Sequence, residues 1–341
     1  PDYRLPAVLS QDYWLYGRWL RHAAADDGAI VLVGDSVVWG EYVLPDGTLS
    51  HFLTAESNGG SRFVNGGVDG FFPLALEGLL RHYGGALRNR KTILHCNLLW
   101  LTSPRADLSS EREERFNHPT LIPQWRPRVP SYHATANERL AASITHRVPF
   151  MGWVKHLQDA YYGQQSIPEW TLQDDGGDPP RYPNAWRNPL SPLAGGMPSF
   201  ADDPAERGPT SPRHRPWLQN DATPAAFEWV SLERSLQWGA LRRVIALLQS
   251  RGNQVLVVVG PLNEHMVAPE SQAAYREIRE GVAAWMQQHQ IPCVVPAALP
   301  SGLYADASHP LTEGYALLAR RLLASPLFAR FVGERSPAPD G

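Results

Sequence analysis

The sequence has few cysteines, no excess of charge of either sign and no long apolar run, and each absence excludes a class of protein. Two cysteines in 341 residues do not make a disulfide scaffold or a zinc site, and we interpret Cys96 and Cys293 as buried thiols. The formal net charge is -3, so no strong field attracts nucleic acid, which we do not expect as a partner. The longest apolar runs are strand-sized, well short of the ~20 residues of a membrane span.

Signatures of cofactor and metal chemistry are also missing from the sequence. No glycine-rich loop ends in Lys-Ser or Lys-Thr, so nucleotide hydrolysis is not predicted. Histidine and the acidic residues are scattered without the spacing of metal ligands, and we expect neither a metal nor an organic cofactor. The sequence begins with Pro1 and not with Met, which we interpret as a processed N-terminus. We expect an extracytoplasmic protein, periplasmic or secreted, more than a cytoplasmic one.

Short apolar runs rich in β-branched residues alternate with longer amphipathic stretches. Runs that are apolar at consecutive positions are typical of strands buried on both faces, and their alternation with helices indicates an α/β fold with a parallel sheet covered by helices. The predicted strands are 29–33, 62–64, 92–96, 254–259 and 291–295. The predicted helices are 13–24, 73–82, 232–249, 272–288 and 312–323. Ligands of such sheets bind beyond the carboxyl ends of the strands.

A long insertion interrupts this alternation after the third strand. We predict one domain, 1–341, whose core of about 28–100 and 226–330 is split by an insertion of about 101–225. Its first part is predicted to be helical to about residue 162. Its second part is rich in proline, glycine and aspartate, which break helices and strands. A long excursion is either a lid or disordered. Because this part keeps several tryptophans and tyrosines, we favour an ordered insertion over the carboxyl edge of the sheet.

The first predicted strand runs into Gly34-Asp35-Ser36. A serine at a strand-to-helix turn exposes its hydroxyl at the carboxyl edge of the sheet, where a substrate can reach it. Gly34 permits the tight turn. The other interpretation is a helix cap formed by Asp35 or Ser36.

Two further polar segments follow the second and third strands. Asn65 begins a segment in which Gly66, Gly67 and Gly70 allow close approach of the backbone to a ligand, although an ordinary turn is the alternative. Asn97 ends the third strand, where its side-chain amide either donates to a substrate oxygen or closes the strand end. The predicted strand ends therefore gather candidate donors at one edge.

Asp306 and His309, three positions apart, precede the last long predicted helix. On one side of a single turn, the carboxylate can accept from Nδ1–H of the histidine and leave Nε2 free to face a nucleophile. The alternative is that both are capping and turn residues.

These four segments, in this order, resemble the signature blocks of the SGNH (GDSL-type) hydrolase family. The matching blocks are Gly34-Asp35-Ser36, the Asn65 to Gly70 loop and Asp306 to His309, while the third block keeps only Asn97 and lacks the family's glycine and following acid. The resemblance covers roughly 28–100 and 250–325, and the insertion has no counterpart in it. It implies a flavodoxin-like, three-layer α/β/α sandwich with a five-stranded parallel sheet.

The resemblance also implies a role for each of these residues. Ser36 would be the nucleophile, His309 its general base and then general acid, and Asp306 the residue that orients the imidazole. The oxyanion would be bound by the backbone N–H groups of Ser36 and Gly70 and by Nδ2 of Asn97. Such preorganised donors are each worth ~10²–10³ in rate.

Other polar and aromatic residues keep two interpretations each. His95 lines the pocket beside Asn97 or, as we favour, is satisfied by its neighbours; we leave it out of the catalytic set. The loop 261–265 contacts substrate or is solvated at its tip. The insertion's aromatics stack on sugar rings or form a local core; they include Trp125, Tyr132, Trp153, Tyr161, Tyr162 and Trp170.

The leading hypothesis is a serine esterase that removes a short acyl group, such as acetyl, from a small-molecule or carbohydrate ester through an acyl-enzyme. The first alternative is a polysaccharide O-acetyltransferase with the same triad, since an insertion that excludes water favours a sugar hydroxyl as acceptor. The second is a catalytically inactive carbohydrate-binding protein on this fold, suggested by the altered third block. Residue types alone do not name the acyl chain, the acceptor or the oligomeric state.

Overall fold

The computed structural model describes residues 4–57, 61–160, 215–220 and 222–333. Their centre is a five-stranded sheet in which every pairing is parallel, with the strand order β2-β1-β3-β4-β5. The strands are β1 (Ala29–Gly34), β2 (Arg62–Gly67), β3 (Lys91–Cys96), β4 (Gln254–Val259) and β5 (Cys293–Val294). The chain turns from β2 back across β1 to β3, so the direction of winding changes between β1 and β3. In open α/β sheets the binding crevice lies at this point, outside the carboxyl ends of the strands.

Helices cover both faces of the sheet, and the fold is the predicted three-layer α/β sandwich. The helices are α1 (Tyr13–Ala24), α2 (Ser36–Trp39), α3 (Leu49–Glu56), α4 (Pro73–His82), α5 (Ala136–Arg147), α6 (Pro149–Ala160), α7 (Leu236–Ser250), α8 (Gln272–Gln288), α9 (Thr312–Leu323) and α10 (Pro326–Gly333). Successive side chains of a strand point to opposite faces. In β1, Val31 and Val33 join the core beneath α1, α4, α7 and α8, whereas Ile30 and Leu32 join the core beneath α3, α9 and α10.

The sequence predicts most element boundaries closely. Helices 13–24, 73–82, 272–288 and 312–323 are confirmed to the residue, and the first four strands are confirmed within three residues. The fifth strand is shorter than predicted because only Cys293 and Val294 pair with β4 at the sheet edge. The helix α1 packs on the main core, which therefore begins before residue 28.

The helix predicted from residue 232 begins later, at Leu236, because a pair of polar side chains ends the loop before it. Ser235 is the N-cap, and its Oγ accepts from the N–H of Trp238 at 3.0 Å. The buried carboxylate of Asp107, from the insertion, accepts from the N–H groups of Leu236 and Gln237. Satisfying these otherwise unpaired N–H groups stabilises the helix start at that point.

The insertion is only partly as predicted. Its helical character is confirmed in α5 and α6, but the prediction is wrong for 109–135, which form turns, bends and the short 3-10 helix Pro119–Leu121. Closely spaced prolines, from Pro119 to Pro130, explain this, since each removes an N–H and clashes with the preceding turn. Of the proline-rich second part, 161–214 lie outside the described residues.

Two smaller observations complete the fold. Cys96 is buried and Cys293 half-buried, and both are free thiols. Within the described ranges, no helix combines the length and the apolarity that a membrane crossing requires.

Candidate active site

The turn after β1 places Ser36 at the first position of α2. Asp35 is the N-cap of this helix, and its Oδ1 accepts from the N–H of Val37 at 3.1 Å. A side chain at Gly34 would place its Cβ 2.6 Å from Cγ2 of Val38, so only glycine fits between β1 and α2. The capping interpretation of Asp35 is therefore confirmed, and the cap fixes the position of Ser36.

Three other segments hold α2 in place. Gly67 lets β2 approach α2 closely, since a Cβ there would lie 2.4 Å from the backbone nitrogen of Trp39. Asn65 donates to the carbonyl of Trp39 at 3.3 Å, and the buried Arg4 donates to the same carbonyl at 3.1 Å. Tyr315 of α9 donates to another carbonyl of α2 at 2.7 Å. Asn65 and Gly67, which the sequence placed after the second strand, are among the last residues of β2 and position the nucleophile's helix.

The structure brings Ser36, His309 and Asp306 together, although Ser36 and His309 are 273 positions apart. Oγ of Ser36 lies 2.8 Å from Nε2 of His309, and Nδ1 of His309 lies 2.8 Å from each carboxylate oxygen of Asp306. The carboxylate accepts, so Nδ1 carries the proton and Nε2 is the acceptor for the serine hydroxyl. Ser36 and His309 are each only 6% exposed. This is the geometry of a nucleophile, a base and an orienting acid.

Asn263, which the sequence leaves in an ambiguous loop, supports the Asp306–His309 turn. Its backbone N–H donates to the carbonyl of Ala307 at 2.8 Å, and its Nδ2 donates to the carbonyl of Asp306 at 3.0 Å. Asn263 is completely buried. At this residue the loop 261–265 is therefore not a solvated tip but a support for the histidine's turn, and its contact with substrate stays a prediction.

The pKa values of the pair are shifted in opposite directions. Burial alone raises the pKa of Asp306, but the hydrogen bond and the charge of His309, with the N–H groups of Ser308 and His309, outweigh it and hold the pKa below its usual value. Burial alone lowers the pKa of His309, but Asp306 and then Glu41 and Asp35 raise it above the usual value. The histidine is therefore a stronger base than an isolated one.

Glu41 is a residue of the site that the sequence reasoning missed. Its Oε2 lies 3.2 Å from Nε2 of His309, on the nitrogen that faces Ser36, and its side chain is 28% exposed. Gly40, with φ of 91°, ends α2 and turns the chain back toward the histidine. A glycine at the end of a very short helix, followed at once by an acid, is the sequence signal that could have indicated it.

Beneath the nucleophile, the buried Asp35 is the centre of a polar network. Its Oδ1 lies 3.0 Å from Nδ1 of His95, and its Oδ2 accepts from Nδ2 of Asn97 at 2.7 Å and from Nε1 of Trp100 at 3.1 Å. Nε2 of His95 lies 3.1 Å from the carbonyl of Gly260. Burial alone raises the pKa of Asp35, but His95 and Asn97 outweigh it and lower the pKa. His95 is thus satisfied by its neighbours, as expected.

The three groups that are expected to donate to the oxyanion differ in their surroundings in the structure. The N–H of Ser36, at the first position of α2, has no carbonyl partner within the helix. The N–H of Gly70 lies beside the Asp69 carboxylate, whose pKa is raised by burial and lowered in part by His309 and by that N–H. Nδ2 of Asn97 donates to Asp35, and its Oδ1 accepts from Leu99. The oxyanion roles of Ser36, Gly70 and Asn97 stay predictions.

The first part of the insertion reaches the same edge of the sheet. At Gly70, φ is 67°, and a Cβ there would lie 2.4 Å from Nδ2 of Asn117, so this amide packs directly against the glycine. Next to it, the buried His118 contacts the carbonyl of Asp69 through Nε2 at 2.9 Å and the hydroxyl of Tyr13 through Nδ1 at 3.0 Å. Insertion residues therefore fix the loop that carries Gly70.

Among the described residues, no three His, Cys, Asp or Glu side chains are arranged to hold a metal ion. A comparison of the sequence with models of protein families and with curated proteins finds no match. The fold and the geometry around Ser36 are therefore the basis for a functional assignment.

Proposed function

We propose that the protein is a serine esterase of the SGNH (GDSL) type that cleaves a short acyl ester, such as an acetyl group, on a carbohydrate. The observation that carries the proposal is the alignment of Ser36, His309 and Asp306 through contacts of 2.8 Å. The order of the four sequence segments and the three-layer fold support it. The turn after β1 and the loop before α9 are far apart in the sequence, and packing of the core does not by itself require their polar side chains to meet at one hydroxyl.

The proposed reaction proceeds in two steps. Oγ of Ser36 attacks the ester carbonyl carbon while its proton passes to Nε2 of His309, and the alcohol leaves with that proton as the acyl-enzyme forms. Water then loses a proton to Nε2, attacks the acyl carbon and releases the acid, and the proton returns to Oγ. Asp306 stabilises the imidazolium that exists in each step. The N–H of Ser36 faces the developing oxyanion.

Hydrolysis of p-nitrophenyl acetate together with covalent labelling of Ser36 by a fluorophosphonate tests the proposal. We expect both in the parent protein and neither in Ser36→Ala, with the labelled peptide identified by mass spectrometry. A folded protein that shows neither turnover nor labelling would overturn the assignment.

A second candidate function is transfer of the acyl group to a sugar hydroxyl. The observation that favours it is the burial of the reacting pair, since Ser36 and His309 are each 6% exposed and exclusion of water disfavours hydrolysis of an acyl-enzyme. An acetyl donor supplied with an oligosaccharide separates the two: acetylated sugar in excess of free acetate supports the transferase. Sugar binding that survives Ser36→Ala, with no turnover in the parent, supports the non-catalytic alternative instead.

A further inference from the structure

A cavity lies away from the Ser36 site and is lined by none of that site's residues. Its volume is about 520 Å³, within the ~300–1,000 Å³ of ligand pockets in general. It is formed by α4, α5, α7 and the irregular segment 121–127 of the insertion. We call it the arginine groove, after its four lining arginines: Arg81, Arg126, Arg147 and Arg243.

The charge of the arginine groove is only partly neutralised. Among the described residues that line the groove, Glu77 is the one acid, and its nearly buried carboxylate pairs with Arg81 at 2.7 Å and with Arg243 at 2.8 Å. Arg126 and Arg147 are exposed and form no ion pair within the part of the chain that the structure describes. In a chain of net charge -3, this is a local concentration of positive charge, suited to an anion.

Two histidines add polar surface to the arginine groove without adding charge. The rings of His82 and His146 stack at 3.9 Å with an interplanar angle of 13°. Burial, then His146 and Arg81, lowers the pKa of His82 to about 4, and burial lowers the pKa of His146. Both rings are therefore neutral near pH 7, so the arginines alone supply the charge. Guanidinium groups bind carboxylates and phosphates in a bidentate manner.

An exposed tryptophan distinguishes the arginine groove from a simple anion site. Trp125 is 58% exposed, and its Nε1 donates to Oγ of Ser143 on α5 at 3.0 Å, which holds the indole against that helix. An aromatic ring that is held in place with its face exposed can stack on a flat, partly apolar surface, such as the C–H face of a sugar ring. Arginines beside such a platform match a sugar that carries a carboxylate or sulfate.

The arginine groove is connected to the Ser36 site along α4. The insertion touches Gly70 through Asn117 and then packs against α4, where a Cβ at Gly78 would lie 2.0 Å from the carbonyl of Leu121. A helix rises ~1.5 Å per residue, so Arg81 lies about 12 Å along the helix from its start at Pro73. A polymer that lies along α4 would span this distance.

We propose that the arginine groove binds the anionic sugars of an acidic glycan and thereby holds the polymer whose ester group enters the Ser36 site. The binding itself stands on the groove alone; only the delivery of an ester to Ser36 rests on the proposed function. Arg126 and Arg147 hold the acidic groups, and Trp125 stacks on a ring.

Calorimetric titration of the full chain with an oligogalacturonate, a neutral maltooligosaccharide of the same length and inorganic phosphate tests the proposal. We expect saturable binding of the oligogalacturonate that weakens as salt is added, and at least about tenfold weaker binding of the neutral sugar, because charge-assisted hydrogen bonds are lost. Equal binding of the two sugars, or binding of phosphate but not of the oligogalacturonate, overturns the proposal.

The double variant Arg126→Ala/Arg147→Ala tests the place of binding. Arg128→Ala is its matched control, since Arg128 is exposed just after the segment 121–127 and does not line the groove. We expect about tenfold or greater loss of affinity in the double variant, a smaller loss in Trp125→Ala and none in the control. Unchanged affinity in the double variant overturns the assignment. Turnover of p-nitrophenyl acetate without glycan binding contradicts this inference alone, and glycan binding without turnover contradicts only the proposed function.

Discussion

The Ser36 site and the arginine groove place their charges differently within one molecule. Around Ser36 the ionisable groups lie in close pairs: the buried Asp35 with the buried His95, and the partly exposed Asp306 with the buried His309. In the groove, Arg126 and Arg147 are exposed and lack ion-pair partners in the described ranges. The pairs around Ser36 hold their atoms within hydrogen-bond distance of one another without a ligand, which these two exposed arginines do not do.

The difference between the two regions follows from the free energy needed to remove a charge from water. A charge taken out of water requires a partner and further hydrogen bonds, and in return its position is fixed. An exposed arginine keeps its hydration and its freedom until a ligand replaces the water. Chemistry at Ser36 needs the fixed geometry, whereas recognition of a polymer tolerates mobile side chains. Substitutions in the two regions should therefore differ in kind.

The largest expected effect is that of Ser36→Ala on turnover. Removal of the nucleophile should lower kcat for p-nitrophenyl acetate by at least about 10³-fold, because the acyl-enzyme cannot form. The free energy of unfolding should change by less than about 1 kcal/mol, since a single hydrogen bond is lost. Steady-state kinetics and urea denaturation measure the two. Retained turnover would show that another group attacks the ester.

Next in size is the effect of Asp35→Ala on stability. The substitution leaves His95, Asn97 and Trp100 without their buried acceptor, and loss of one partner of a buried pair costs about 3–5 kcal/mol. Asp27→Ala is the control, because the side chain of Asp27 is 94% exposed while paired with Arg90, and exposed pairs contribute about 0–1 kcal/mol. Urea denaturation compares the two variants. Equal losses would contradict the buried network.

Glu41→Gln should shift the pH dependence of kcat/KM without abolishing activity. His309 must be neutral to accept the serine proton, so activity is lost as the pH falls through the raised pKa of His309. Removal of the Glu41 charge lowers that pKa, and the acid limb moves to lower pH. The plateau should fall by less than the ~10²–10³ of a lost oxyanion donor.

Glu56→Gln is the control for this shift, because Glu56 pairs with Arg320 at 3.5 Å away from the site and should leave the pH profile unchanged. An acid limb that stays in place in Glu41→Gln would show that Glu41 does not interact with the histidine in solution.

The smallest expected effect is that of Arg126→Ala/Arg147→Ala on thermal stability and on ester turnover, in contrast to its effect on glycan binding. Exposed residues without ion pairs contribute within about 0.5 kcal/mol to stability. Thermal denaturation and p-nitrophenyl acetate turnover should both match the parent. A marked loss of either would show that these arginines support the fold or the Ser36 site, and the contrast between the two regions would fail.

The sequence predicts the sheet and most of its helices well because burial on both faces leaves a local pattern. Consecutive apolar residues in β4 and the regular spacing in α9 are visible without the rest of the chain. The helix prediction is wrong at 109–135, where closely spaced prolines prevent a helix. At the start of α7, the distant Asp107 decides the boundary.

The site is predictable only in part, because hydrogen-bond partners come from distant segments. Ser36, Asp306 and His309 carry local signals and lie together in the structure. Asn97 is at the expected strand end, yet its amide donates to Asp35, a choice that sequence spacing does not encode.

The sequence by itself determined the alternation of strands and helices and the residue types available at each strand end, since both depend on neighbours within a few positions. Only the tertiary structure decided that Glu41 faces His309, that Asn117 packs on Gly70 and that arginines from α4, α7 and the insertion line one groove. Each of these contacts joins segments whose distance in space is set by packing of the whole core. These side-chain contacts form only when the chain has folded, and they must be in place before any chemistry occurs at Ser36.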